Sequence, residues 1–215
     1  CMAGGLPQDA AMPGDTEDDS KQADSDAQQV APGDAVIAVT ASGRTPYAVR
    51  MAELARARGA RTICIANNPD APIFAHADVA ICLPTPPEVI AGSTRMGAGT
   101  AQKAALNMMS TLMGIRLGHV HDGMMVNVRA DNEKLRGRAI GMVRRITGAS
   151  ETAARAALQT HGWSVKNAAL SLAGAGPQVQ ALLDRHGGRL RAALADIQNP
   201  ASTGADSLTS TERTQ

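Results

Sequence analysis

The sequence has 215 residues, 44% of them apolar and 19% charged, and its 21 basic and 20 acidic side chains leave a formal net charge of +1. This balance gives no overall field that would recruit nucleic acid or an anionic membrane. With one Trp, one Tyr and one Phe, the chain also lacks a stacking platform for single-stranded nucleic acid. No apolar run approaches the roughly 20 residues that span a bilayer. The composition predicts a globular protein with one sizeable core and a small-molecule partner.

The three cysteines, Cys1, Cys64 and Cys82, do not have the spacing of a metal site, and the histidines show no ligand spacing either. The first residues lack the basic and then apolar pattern of a signal peptide. We therefore expect a cytoplasmic protein without a bound metal ion.

Three short apolar runs, residues 35–40, 62–66 and 79–84, predict β-strands. Each is almost continuously apolar, which is typical of a parallel sheet with helices on both faces. Between the first two runs, residues 46–58 show an apolar helical face that ends at Gly59. The sequence therefore predicts an α/β fold in which a parallel sheet is flanked by helices.

Two longer helices are predicted at residues 98–117 and 132–146, and the first of these should be the longest helix of the core. From residue 150 to 194 the chain changes to short Ala- and Leu-rich segments separated by glycines, which predicts a subdomain of three or four short helices. The tail is rich in Ser, Thr and Asp and is expected to be disordered. The predicted organisation is an α/β domain at 1–148, a small C-terminal helical subdomain at 149–197 and a tail at 198–215.

A parallel sheet in a domain of this type usually has about five strands, and three are recognisable here. The sequence also begins at Cys1, without an initiator Met. We therefore expect that an amino-terminal part of the α/β domain lies outside the given sequence.

The stretch DAVIAVTASGRTPY, residues 34–47, joins the first predicted strand to the following helix. Unpaired N–H groups at a helix N-terminus carry partial positive charge, a glycine allows close approach of the backbone, and hydroxyl groups add donors. The stretch is typical of a phosphate-binding loop, and a simple turn with a helix cap is the alternative. The candidate binding residues of this loop are Thr40, Ser42, Gly43, Arg44 and Thr45.

A second group of candidates follows the third predicted strand, where ligands bind in open α/β sheets. Glu88 is either a substrate-binding carboxylate or a solvent-exposed loop acid. Ser93 and Thr94 precede the long helix and form either a second anion-binding site or, in the case of Ser93, only the cap of that helix.

Four segments in collinear order carry a family resemblance: ASGRTPY (41–47), PEVIAGSTRMGAGTAQKAALNMMSTLM (87–113), MMVNVRADNEKL (124–135) and RHGGRLRAAL (185–194). They resemble the N-acetylmuramic acid 6-phosphate etherase family, whose members contain a sugar isomerase (SIS) domain. The resemblance runs from about residue 1 to residue 196 and implies a flavodoxin-like parallel sheet, a homodimer, and no metal or organic cofactor. It also implies removal of D-lactate from the C3 ether of this phosphorylated amino sugar, which leaves N-acetylglucosamine 6-phosphate during peptidoglycan recycling.

The resemblance also implies a catalytic residue. Residues 14–18 read Gly-Asp-Thr-Glu-Asp where the family has Glu-Gly-Ala-Glu-Asp, so an active-site Glu of the family falls on Glu17. Glu17 would act as an acid or base, whereas the plain interpretation of its acidic run is a solvated face. The second family carboxylate belongs to a Glu-Cys-Pro-Pro segment after a Gly-Thr-Ser-Gly-Arg loop, and neither occurs in this sequence. A non-catalytic sugar-phosphate-binding module is therefore the alternative function, and an inactive remnant is a third interpretation.

One departure from the family bears on anion binding. Gly97 stands where the family usually has Lys. Loss of this cation either weakens the binding of an anion or only removes a surface charge.

Overall fold

The computed structural model describes residues 15–199. The chain divides into two compact units, Cys1–Met108 and Met109–Gln215. In chain order, the first unit contains α1 (Ser20–Asp26), β1 (Ala35–Val39), α2 (Pro46–Ala57), β2 (Arg61–Ala66), β3 (Val79–Cys82) and the start of α3 (Gly97–Arg116), with 3-10 turns at Thr16–Asp18, Ala27–Gln29 and Pro72–His76.

The sheet of the first unit is parallel, with the strands in the order β1-β2-β3. The three predicted strands and the helix between the first two are confirmed. β2 lies in the middle and buries most of its side chains, whereas Ile37 on β1 and Val79 on β3 remain 38% and 45% exposed. The apolar runs predicted that helices cover both faces of all three strands. Within the described residues, the two outer strands are not fully covered.

Small side chains allow α2 to pack closely on this sheet. Ala52 on the helix, Ala38 on β1 and Cys64 on β2 form one buried cluster with Ile73 from the following turn. The helix ends before Gly59, which has a φ of +83°, as expected for a glycine that terminates a helix.

Helix α1 was not predicted, because its sequence is polar apart from Ala23. Asp19 caps its first turn by accepting a hydrogen bond from the N–H of Gln22. Ala23 packs on Tyr47 of α2, and the Tyr47 hydroxyl donates to Asp26 over 2.5 Å. Burial and the neighbouring carboxylate raise the pKa of Tyr47. The aromatic ring of Tyr47 thus packs α2 against α1, while its hydroxyl is hydrogen-bonded to Asp26 of α1.

The second unit is mainly helical. After the end of α3 it contains a short antiparallel hairpin, then α4, and then four short helices. The sequence predicted three or four short helices in this last segment. Its elements are β4 (Val120–His121), β5 (Met124–Met125), α4 (Glu133–Thr147), α5 (Glu151–Thr160), α6 (Val165–Leu170), a π-helical turn (Ser171–Ala175), a 3-10 turn (Gly176–Gln178), α7 (Val179–Arg185) and α8 (Leu190–Gln198).

The core of this unit includes α4. Val143 of α4 packs in one cluster with Leu158, Leu170 and Leu190 from the helices that follow. The helical unit therefore begins well before residue 149, the boundary predicted from the sequence, because Gly148 ends α4 without ending the core. Apart from its first two residues, the predicted tail at 198–215 lies outside the described part of the chain.

Helix α3 is the longest helix described, as predicted, but it is poorly buried. Several of its apolar side chains are exposed by 37 to 61%: Leu106, Met108, Leu112, Met113 and Ile115. The prediction of a core helix is therefore wrong for this chain taken alone. Within residues 15–199, no helix has both the length and the apolar character of a membrane span.

Candidate functional site

A cleft of about 370 Å³ opens at the carboxyl edge of the sheet in the first unit. Its walls come from the loops that follow the three strands and from the first turn of α3. Open parallel sheets bind ligands at this edge, and the volume suits a small molecule. The lining residues used below are Ser42, Asn67, Asn68, Glu88, Ser93 and Thr94.

The loop between β1 and α2 uses most of its polar groups to hold its own shape. The hydroxyls of Thr40 and Thr45 lie 2.8 Å apart and hydrogen-bond to each other, and Thr40 Oγ1 also accepts from the N–H of Gly43. Arg44 is exposed, and its N–H donates to Ser42 Oγ over 3.1 Å. Of the five candidate residues in this loop, Ser42 lines the cleft, and the other four shape the turn that presents it.

Gly43 has a φ of +70° and lies against the 3-10 turn that follows β2. Its carbonyl accepts from the N–H of Ile73 over 3.2 Å. A Cβ at position 43 would overlap the Cβ of Ala71 and lie 3.1 Å from its Cα. The position therefore requires glycine for two reasons, the backbone conformation and the close approach to Ala71.

Glu88 lies half-buried in the opposite wall. Its Oε1 accepts a hydrogen bond from the N–H of Ala98 over 3.2 Å, in the first turn of α3. A carboxylate is well placed at a helix N-terminus, where free amides carry partial positive charge. Gly97 lies beside it, and a Cβ there would be 3.6 Å from Glu88 Oε1, an ordinary contact. Glu88 is thus held in place at the helix and is not a free surface acid.

Ser93 and Thr94 both line the cleft. Helix α3 begins at Gly97, so Ser93 precedes it by four residues and does not cap it. The hydroxyl oxygen of Ser93 instead accepts from the N–H of Arg95 over 3.5 Å, within the loop before the helix, and the carbonyl of Thr94 accepts from the N–H of Gly99. The cap interpretation of Ser93 is therefore wrong, and the loop presents both hydroxyl-bearing residues to the cleft.

Two asparagines of the cleft were missed by the sequence analysis. Asn67 is 7% exposed and hydrogen-bonds to the loops after β1 and β3 as well as to α3. The Asn68 side chain donates to the carbonyls of Ala41 and Ser42 over 3.3 and 3.4 Å. Their signal was available, since Asn-Asn-Pro directly follows the second predicted strand and thus belongs to the same edge of the sheet.

Glu17 lies exposed in the 3-10 turn Thr16–Asp18, just before α1, and is not among the residues that line the cleft. Gly14, the first residue of its motif, is outside the described residues. The structure therefore brings together Ser42, Glu88 and the 93–94 pair, but it does not bring Glu17 to them.

The charges near the cleft do not form a metal centre. Among residues 15–199, no three side chains of His, Cys, Asp or Glu come together in a metal-binding group. The chemistry offered by the cleft is that of hydroxyls, amides and one fixed carboxylate, which suits a small polar ligand.

Comparison with known proteins agrees with the observed α/β fold. Residues 11–112 match the SIS domain, so the first unit is an α/β domain of the SIS class. The chain is 51% identical over 172 residues to the N-acetylmuramic acid 6-phosphate etherase of Symbiobacterium thermophilum. This alignment covers 80% of the present chain and 57% of the relative. For the enzymes of the same name from Deinococcus radiodurans and Streptomyces avermitilis, the identities are 47% over 184 residues and 49% over 164 residues.

Over most of its own length the chain is therefore similar to N-acetylmuramic acid 6-phosphate etherases. The Deinococcus match covers 84% of this chain and 60% of the relative, and the Streptomyces match covers 75% and 53%. The chain therefore spans between half and two thirds of the length of these relatives.

Proposed function

We propose that this chain supplies the sugar-phosphate cleft of an N-acetylmuramic acid 6-phosphate etherase. This carbon–oxygen lyase would release D-lactate from the sugar and leave N-acetylglucosamine 6-phosphate, in the recycling of peptidoglycan. The observation that carries the proposal is the meeting of Ser42, Glu88, Ser93 and Thr94 in one cleft. These residues come from two separate family motifs, and a shared ligand explains why they converge.

The polarity of the two walls suggests how a phosphorylated amino sugar lies in the cleft. Ser42 Oγ accepts from the N–H of Arg44, which leaves the hydroxyl hydrogen of Ser42 free to donate to a phosphate. The carboxylate of Glu88 repels an anion and accepts hydrogen bonds from sugar hydroxyls. We therefore place the phosphate against the Ser42 wall and the sugar ring towards Glu88.

The lyase reaction needs a base for the C2 proton, made acidic by the open-chain aldehyde, and an acid for the departing lactate, after which water adds to the unsaturated intermediate. Family resemblance assigns one of these roles to Glu17. In the proposed reaction Ser42 and Glu88 hold the sugar, and Glu17, which does not line the cleft, must be brought to the sugar to take or give the proton. The other family carboxylate has no counterpart in this sequence.

A sugar-phosphate-binding module without turnover is the second candidate. Two observations favour it: Glu17 is exposed and does not line the cleft, and Glu88, which does line it, is engaged by the N–H of Ala98. In that case the cleft would bind hexosamine phosphates and report their presence to a partner.

Calorimetric titration with N-acetylglucosamine 6-phosphate, together with a lactate assay on N-acetylmuramic acid 6-phosphate, tests these proposals. We expect binding, and we expect Ser42→Ala to weaken it about tenfold, because a hydrogen bond to a charged group is lost. Ser25→Ala, an exposed serine of α1, is the control and should bind normally.

Lactate release that disappears in Glu17→Gln supports the etherase. Binding without lactate release supports the module instead. If the protein binds no hexosamine phosphate, both candidates are wrong.

We also propose that the protein is a homodimer in the cytoplasm. Support for the dimer comes from the exposed apolar side chains of α3, since a helix with apolar residues around its circumference is usually buried. Support for a reducing compartment comes from Cys64 and Cys82, which are both free thiols.

A further inference from the structure

The side chain of Asn67 links three parts of the cleft. Its Nδ2 donates to the carbonyl of Leu83, at the start of the loop after β3, over 2.9 Å. Its Oδ1 accepts from Nε2 of Gln102 on α3 over 2.8 Å. Its main-chain N–H donates to the carbonyl of Ala41, in the loop after β1, over 3.0 Å. The two loops that form opposite walls are thus tied to one residue at the end of the central strand.

The orientation of the Asn67 amide follows from these partners. The carbonyl of Leu83 can only accept, so the amide must turn its NH₂ group towards Leu83 and its oxygen towards α3. Gln102 must then present its own NH₂ group to that oxygen. The two amides are therefore ordered by the carbonyl of Leu83, and neither can rotate without losing a hydrogen bond.

From this geometry we infer that Gln102 is a positioning residue, which sets the width of the cleft by fixing the Asn67 amide against the loop after β3, while the main chain of Asn67 holds the loop after β1. Gln102 is half-buried and is not among the residues that line the cleft, so it acts through Asn67. This inference rests on the proposed binding of a hexosamine phosphate, which reaches from the Ser42 wall to the Glu88 wall.

The inference distinguishes two ligands. Inorganic phosphate needs only the Ser42 wall, whereas N-acetylglucosamine 6-phosphate needs both walls at the correct separation. Loss of the Gln102 hydrogen bond should therefore weaken the second ligand and leave the first unchanged. A general loss of stability would instead affect both ligands alike.

The experiment compares Gln102→Met and Gln102→Glu with the control Lys103→Met, an exposed neighbour on the same helix. Gln102→Met keeps the length of the side chain without the donor, and Gln102→Glu opposes the Asn67 oxygen with a second acceptor. For both variants we expect N-acetylglucosamine 6-phosphate to bind about tenfold more weakly, the value of roughly one hydrogen bond, with unchanged affinity for inorganic phosphate. Lys103→Met should bind both ligands normally.

A second measurement does not depend on any ligand. In the wild-type protein, the side-chain amide protons of Asn67 should exchange slowly with solvent in NMR spectra, and exchange should accelerate in Gln102→Met but not in Lys103→Met. Equal weakening of both ligands, or unchanged exchange at Asn67, would overturn the inference. Absence of hexosamine phosphate binding in the wild-type protein would instead defeat the proposed function, and the cleft-width role with it.

Discussion

His121, in β4, is a buried titratable side chain that the proposed reaction does not use. It is 8% exposed, and its Nδ1 has no hydrogen-bond partner within the described part of the chain. Burial lowers its pKa from the ordinary value of 6.5, although Asp122 opposes this effect and Arg191 adds to it. Asp122 is itself ion-paired with Arg191, which weakens its pull on the imidazole. The lowered pKa favours the neutral form of His121 in the folded protein at pH 7.

This burial predicts a pH-dependent stability. As the pH falls below 6.5, the unfolded chain takes up a proton at His121 before the folded chain does, so the free energy of unfolding should decrease. The slope should reach at most about 1.4 kcal/mol per pH unit, and it should vanish above about pH 7.5. Urea unfolding followed by the fluorescence of Trp163, between about pH 5.5 and 8, measures it.

His121→Phe should remove this part of the slope, because the titrating group is gone. His161→Gln, at the end of α5, is the matched control and should retain it. An unchanged slope in His121→Phe would show that other groups cause the acid sensitivity.

Among the elements, the strands and the long helices could be predicted because apolar residues form continuous runs in the strands and recur at helical spacing in the helices. Helix α1 could not, because its polar sequence becomes helical through the cap at Asp19 and the packing of Ala23 on Tyr47. The place of the cleft could also be predicted, since parallel strands align their carboxyl ends. The direction of individual side chains could not be predicted. The hydroxyls of Thr40 and Thr45, which were expected to bind a ligand, hydrogen-bond to each other instead.

The turn between β1 and α2 gives a prediction at this scale. Gly43→Ala should lower the free energy of unfolding by about 3 kcal/mol, because a Cβ would overlap Ala71 and the φ of +70° disfavours any side chain. It should also weaken hexosamine phosphate binding by moving Ser42. Gly33→Ala is the control: its φ is +91° with nothing within 4 Å, so only about 1 kcal/mol should be lost.

Chemical unfolding followed by circular dichroism measures both variants. If Gly43→Ala were no worse than Gly33→Ala, the close packing of this turn on Ala71 would not matter to stability.

At the scale of the whole molecule, each hydrophobic cluster found among residues 15–199 lies within one unit. The largest cluster, which includes Leu158, lies entirely in the second unit, and the cluster around Ile73 lies entirely in the first. The sequence could not place this division, because the glycine after α4 resembles a domain boundary. The apolar face of α4 packs into the core formed by the later helices, so α4 belongs to the second unit.

The separate cores predict separable losses of stability. Leu158→Ala and Ile73→Ala should each cost about 3 kcal/mol, since both remove a fully buried side chain and leave a cavity. Trp163 fluorescence reports on the second unit, and alkylation of the buried thiol of Cys64, mapped by mass spectrometry, reports on the first. We expect each variant to shift mainly the probe of its own unit. Equal shifts of both probes in both variants would show a single cooperative unit.

The hydrogen bonds that Asn67 makes to its neighbours have a consequence for engineering. Asn67 donates to the main-chain carbonyls of Leu83 and Ala41. These hydrogen bonds therefore do not depend on which side chains stand at positions 83 and 41. A new group could be introduced at Ala41, which lines the cleft, to recognise a different sugar while these hydrogen bonds stay intact. The protein thus separates the scaffold of its cleft from the chemistry displayed on it, which makes this edge of the sheet a suitable starting point for altered specificity.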